Sequence, residues 1–113
     1  MPQQYGEEDF AAIIPLGSAF SSIIYITNYQ QGILFMPTAW TAASIGFYVL
    51  DTAGNGMPFF DGGVQVQINL PVVSQAYAMP LTLFASQRIL LWSQTLAVSV
   101  LQTAERGFRL SFK

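Results

Sequence analysis

Apolar and polar residues alternate most clearly at residues 64–70, where Val64, Val66, Ile68 and Leu70 are interleaved with Gln65, Gln67 and Asn69. A period of two marks a strand with one buried and one wet face. The C-terminus repeats the pattern, with Phe108, Leu110 and Phe112 on one side and Arg109, Ser111 and Lys113 on the other. A second kind of run is apolar on both sides. Residues 20–27 set Phe20, Ile24 and Ile26 against Ile23 and Tyr25, and residues 33–36, 45–50 and 88–92 read the same way. Their β-branched and aromatic content favours strands, and two apolar faces predict that both are covered, as in the centre of a sheet.

Turn chemistry separates these runs. It falls at Asn28 to Gly32, Asp51 to Gly56, Asp61-Gly62-Gly63 and Pro71 to Ser74, where Gly and Asn supply the positive φ that tight hairpins require. Short strands with such turns every 8–15 residues predict an all-β fold, an antiparallel sandwich or barrel; the form expected is an antiparallel, jelly-roll-like β-sandwich. Residues 40–44 and 95–104 each have the composition for a helical turn. Residues 1–8 show no periodicity and carry Pro2, Gly6 and two adjacent glutamates. They read as an N-terminal arm, leaving residues 9–113 as a single sandwich domain.

Charge changes the picture. Only 9% of the 113 residues are charged, against about 25% in a typical soluble domain. Buried interface cores are depleted in charge and enriched in Tyr, Trp, Phe and Met, and this chain has five Tyr, two Trp, nine Phe and four Met. Self-association is therefore expected. The net charge is −2, with four basic residues, too few to neutralise a phosphate backbone, so no nucleic-acid partner is expected. Pro15, Gly17 and Pro37 interrupt the uncharged stretch between Asp9 and Asp51, and no basic flank orients it, so no membrane span is expected either.

The chain has no histidine and no cysteine, which removes the Ser-His-Asp and Cys-His arrangements, thiolate metal sites and disulfides. Asp51, Asp61 and Glu105 are the mid-chain candidates for a carboxylate pair, and Asp51 and Asp61 could meet at one end of a hairpin, but each of these two sits where aspartate commonly starts a turn. The run Asp51 to Gly56 partly matches a calcium loop, yet Ala53 and Gly62 stand where carboxylate ligands are needed. No enzymatic activity, metal or cofactor is expected. Aromatic side chains could instead stack on sugars, with Trp40, Trp92, Tyr48 and Phe59-Phe60 as the surfaces, or serve as core or interface.

The run Met36-Pro37-Thr38-Ala39-Trp40-Thr41-Ala42-Ala43-Ser44-Ile45-Gly46-Phe47 resembles a family of small structural proteins of tailed bacteriophages. Members share its Met-Pro-x-x-Trp-Thr core, followed by a Gly-rich hairpin, an Asp-Gly turn, an alternating strand and an Arg-hydrophobic-Ser-x-Thr segment. Here these are Asp51 to Gly56, Asp61-Gly62, Val64 to Leu70 and Arg88 to Thr95; Ser93-Gln94-Thr95 departs from the more usual Ser-Gly-Thr. The resemblance covers about residues 10–113 and implies a virion protein, a capsid decoration or cement subunit on the outer capsid surface, commonly trimeric and bound to the major capsid protein. The alternative is a tail or neck component, including a glycan-binding adsorption module. The candidate contact residues are Tyr5, Met36, Trp40, Tyr48, Phe59, Phe60, Arg88 and Trp92.

Overall fold

In chain order the strands are β1 (Glu8–Ile14), β2 (Ile24–Tyr25), β3 (Gly32–Phe35), β4 (Ser44–Leu50), β5 (Gly56–Pro58), β6 (Phe60–Asp61), β7 (Val64–Gln65), β8 (Gln67–Ile68), β9 (Ala76–Ala78), β10 (Arg88–Thr95), β11 (Val98–Ser99) and β12 (Arg106–Phe112). They belong to a computed structural model that describes residues 8–113. Of the arm expected at residues 1–8, residues 1–7, Tyr5 among them, lie outside the described residues, and Glu8 opens β1. A single 3-10 turn, Leu81–Ala85, lies between β9 and β10. No described helix is long and apolar enough to cross a membrane.

The strands form two main antiparallel sheets. The first has the order β1-β12-β3-β9; the second runs β11-β10-β4-β5, with β2 added to β10 and β8 added to β4. The sheet pairings reach far along the sequence: β1 pairs with β12 over Glu8↔Phe112 to Ile14↔Arg106. β10 pairs with β4 over seven positions, from Arg88↔Leu50 to Gln94↔Ser44. The all-β, antiparallel class expected from the pattern is therefore present.

Both sheets contribute to one apolar core. Ala12, Ile14, Leu34, Phe108, Leu110 and Phe112 come from the first, and Ile24, Ile45, Phe47, Ile68, Ile89 and Leu91 from the second. Alternation does this: even residues of β12 and odd residues of β4 and β10 point inward. The expectation for residues 108–113 is met at five positions, with Phe108, Leu110 and Phe112 buried and Arg109 and Lys113 exposed, while Ser111 is half-buried.

Two glycines let large aromatic rings lie flat across neighbouring strands. Gly32 faces Phe112 across the first sheet, and a Cβ there would meet the Phe112 ring at 2.5 Å. Gly46 faces Trp92 across the second. A Cβ at Gly46 would come within 2.9 Å of Gln65 Nε2 and 3.0 Å of the Trp92 ring. In each pair the missing side chain provides the space that the ring fills, a known way to offset the cost of glycine in a strand.

Two hairpins use the same two-residue turn with different residues. Gly62 and Gly63 join β6 to β7 at φ 61° and 85°, as the Asp-Gly-Gly sequence predicts. Leu96 and Ala97 join β10 to β11 at φ 51° and 63°. Left-handed backbone costs a non-glycine residue roughly 1–2 kcal/mol. Ala97 N–H donates to the side chain of Gln94 at 2.9 Å, which holds the turn. This stretch has the composition for a helical turn, but the local hairpin pairing of β11 with β10 overrides that preference.

Three further expectations are corrected. Residues 20–27 are not a doubly covered central strand: they run along β10 with only Ile24–Tyr25 as a strand and Phe20 as an isolated bridge to Trp92. Nothing stacks over the outer side, so Ile23 and Tyr25 are exposed. Residues 64–70 are not one strand either, since Val64 belongs to the β6–β7 hairpin and Leu70 turns away at φ 43°. Only Val66 and Ile68 reach the core. Residues 40–44 form no helical turn, because Thr41 is drawn into the hydrogen-bond network described below.

Candidate interaction surface

The run from Met36 to Phe47 is built into the fold residue by residue. Met36 is buried in the core, and Pro37 O accepts Ser74 N–H. Trp40 packs edge-on against Phe108 at 5.5 Å, and its Nε1 donates to Ala43 O at 3.0 Å. Ser44 Oγ donates to Asn69 Oδ1 and accepts Leu70 N–H. Ile45 and Phe47 are fully buried, and Gly46 lies under Trp92. The residues of this motif thus fix strand placement and loop closure.

Thr41 joins a largely buried polar cluster centred on Gln102 and Arg106. The Gln102 side chain accepts from Thr41 N–H at 2.9 Å and from Arg106 Nε at 3.0 Å. It donates to Thr41 O at 3.1 Å and to Ser93 Oγ at 2.8 Å. Arg106 also reaches the hydroxyls of Thr41 and Thr103. Meanwhile the Gln102 backbone pairs with Gly17 and Ser18. Through side chain and backbone together, this one residue ties β10, β12 and the segments around residues 17 and 41 to one another.

The other expected contact residues are mostly used inside the chain. Trp92 is buried, stacked on Phe20 with parallel rings 6.1 Å apart, met edge-on by Tyr48 at 4.9 Å, and bonded through Nε1 to Ser99 Oγ. Phe59 packs against the core, while Phe60 is exposed. Arg88 is half-buried and donates from Nη2 to Asp51 O at 2.6 Å. The structure brings Tyr48 and Trp92 into one aromatic cluster and leaves Trp40 and Phe60 outside it.

Asp51 does start a turn. Its Oδ1 accepts N–H from Ala53 and Asn55, both at 2.9 Å, and the Asn55 backbone bond above all holds its carboxyl below the ordinary range. With the folded pKa depressed, its contribution to stability is present above the unfolded value and is lost as pH falls through the folded one. Among the described residues no group of three or more acidic, histidine or cysteine side chains is placed to hold a metal ion.

The two sheets differ on their outward sides. On the second sheet Gly46, Trp92 and Gln94 are buried and Tyr48, Leu50 and Leu90 half-buried. Among the described residues nothing covers the outer side of the first sheet. One row across it is Asp9, Ser111, Ile33 and Ala78; the next is Ala11, Arg109, Phe35 and Ala76; Ile13 and Gly107 follow. All but Ser111 and Phe35 are exposed, and the Arg109 guanidinium lies over the Phe35 ring at 4.5 Å. Two shallow cavities flank the rows, one of about 430 Å³ bordered by Ile33, Ala78 and Leu81, the other of about 480 Å³ bordered by Phe35, Ala76 and Arg109. The result is a mainly apolar face, with Ile13, Ile33 and several alanines exposed, Asp9 in one row and the Arg109 cation near its middle.

The chain matches no family model, no curated protein and no solved structure. The functional reading therefore rests on the geometry and on the resemblance carried by Met36 to Phe47. Searching for large aromatics missed this face because its exposed residues are not aromatic: Ala11, Ile13, Ile33, Ala76, Ala78 and Gly107. The signal that could have found it is the run Phe10-Ala11-Ala12-Ile13-Ile14, a strand with two apolar faces, one of which stays uncovered.

Proposed function

We propose that the protein is a β-sandwich subunit of a tailed-bacteriophage particle, a decoration or cement protein that associates with itself and holds to the outer face of the major capsid protein. The bare outer face of the first sheet carries this reading. A sheet face can accept another protein layer at about 10 Å spacing, and Ala and Gly let that layer approach closely. Apolar contact contributes about 25 cal/mol per Å² removed from water, so each contact is modest. Repetition over many symmetric copies makes the attachment durable. The tail or neck alternative, as a glycan-binding module, is less favoured because Trp92 is buried and Trp40 packs on Phe108.

Substitution within the bare rows tests this. Ile33→Lys places a charge on the outer side of β3, away from the core, and should leave the melting temperature nearly unchanged. Its retention on capsids lacking the native protein, measured by co-sedimentation, should fall about tenfold or more, because a desolvated ammonium opposes an apolar contact. Equal retention of the variant and the wild type contradicts the assignment of this face.

A further inference from the structure

β1 is an edge strand, with β12 on one side and an incomplete row of backbone partners on the other. Ile13 N–H donates to Ser22 Oγ, and Ser22 N–H donates to Ile13 O. Odd-numbered residues of β1 therefore turn their backbone groups away from β12. Asp9 and Ala11 share that orientation, and among the described residues nothing pairs with their outward N–H and C=O groups. Ser22 closes the edge at Ile13, so the open stretch is short and centred on Phe10. Phe10 is half-buried, against Tyr29 at 6.0 Å and Phe112 at 5.6 Å.

We propose that this edge is where two copies of the chain meet, β1 lying antiparallel to β1 of the second copy about a two-fold axis at Phe10. The proposal rests on the reading of the chain as a self-associating subunit. In this register Asp9 stands opposite the second copy's Ala11, and Ala11 opposite its Asp9. The open groups are then used completely, each N–H donating to the C=O across the axis, four bonds in all. Phe10 falls at a non-hydrogen-bonded position facing its own copy, where side chains come closest and aromatic pairs are favoured. No carboxylate faces another directly across the ladder. Such self-complementarity is what an isologous contact requires, and it favours a second copy over an unrelated strand. The first sheets of the two copies become one sheet of eight strands, and their bare outer faces become continuous.

The absence of cysteine makes a direct test available. Asp9→Cys and Ala11→Cys are exposed single substitutions. Across a hydrogen-bonded antiparallel pair the Cα atoms are about 5.5 Å apart, inside the range a disulfide spans. Like positions sit on the diagonal, about 7–8 Å apart. Mild oxidation of an equimolar mixture should yield mainly the mixed dimer, and either variant alone should cross-link poorly. Ala11→Pro removes an N–H that β12 does not use, a substitution edge strands tolerate. It should weaken association roughly a hundredfold in sedimentation, with two bonds lost per pair, while the circular dichroism spectrum is retained. Wild-type protein that stays a single chain at all concentrations overturns both this contact and self-association. An oligomer that Ala11→Pro leaves intact, or a mixture with no preference for the mixed disulfide, overturns the β1 contact and leaves self-association standing. If Ala11→Pro fails to fold, the cysteine pair decides.

Discussion

Gln102→Ala is expected to lower the unfolding free energy by about 3–5 kcal/mol, among the largest losses any single substitution should cause here. The residue is fully buried, and its amide makes four hydrogen bonds, to both backbone groups of Thr41, to Ser93 Oγ and to Arg106 Nε. Truncation strands all of these, and the guanidinium beside it loses its best acceptor while still buried. For a domain of this size roughly 4–6 °C of melting temperature accompany each kcal/mol, so a fall of about 12–30 °C should be seen in thermal unfolding. Gln102→Met separates hydrogen bonding from packing. It keeps the volume, and volume-conserving swaps in apolar surroundings typically cost less than about 1.5 kcal/mol. The network account expects Met to be nearly as damaging as Ala; a nearly neutral Met variant shows that packing dominates.

Phe112→Ala should have a comparable effect by a different route. Phe112 has no exposed surface and is surrounded by Phe10, Tyr29 and Phe84, with ring centroids 5.4–6.0 Å away. Deleting such a ring costs about 3–5 kcal/mol through lost burial and the cavity left behind. Gly32 cannot collapse into that space because it has no side chain. Urea unfolding should show a lower midpoint with an unchanged slope, the sign of lost stability in an otherwise intact native state. Since Phe112 also borders the cavity beside Ile33, binding through the bare face should weaken along with stability. A midpoint shift below about 1 kcal/mol contradicts its place in the core.

Where a strand has one wet face, its position could be read from the sequence. β12 is the clearest case, since Arg109, Ser111 and Lys113 mark the outward side at every second residue. The Gly62-Gly63 turn was equally legible because only its backbone freedom matters. Runs that are apolar on both sides do not say which side is covered. In residues 45–50 both are, because β10 supplies Trp92 over Gly46; at Ile23 and Tyr25 the outer side is open. Residues 9–14 carry no polar alternation, and β1 was not read as a strand. The Leu96-Ala97 hairpin was hidden because its residues oppose the conformation they adopt.

The candidate surface was less legible for a related reason. Aromatic residues bury the most area, so a chain with one core uses them on itself first, as Trp92 and Phe59 show. Tyr48 joins the aromatic cluster above β10 and Met36 the core for the same reason. What remains outside is small or aliphatic, and its pattern emerges only when β1, β12, β3 and β9 are set side by side. The low charge content is now accounted for in two parts, a second sheet whose centre at β4 and β10 is largely covered on both sides and a first sheet whose outer face bears Arg109 as its central charge.

Imaging of virions carrying a labelled copy of this protein is the most direct test of its proposed place in a particle. The account predicts label at regularly spaced positions on the outer surface of the head, following the capsid lattice. Label confined to the tail, or particles that carry none of the protein, would contradict it.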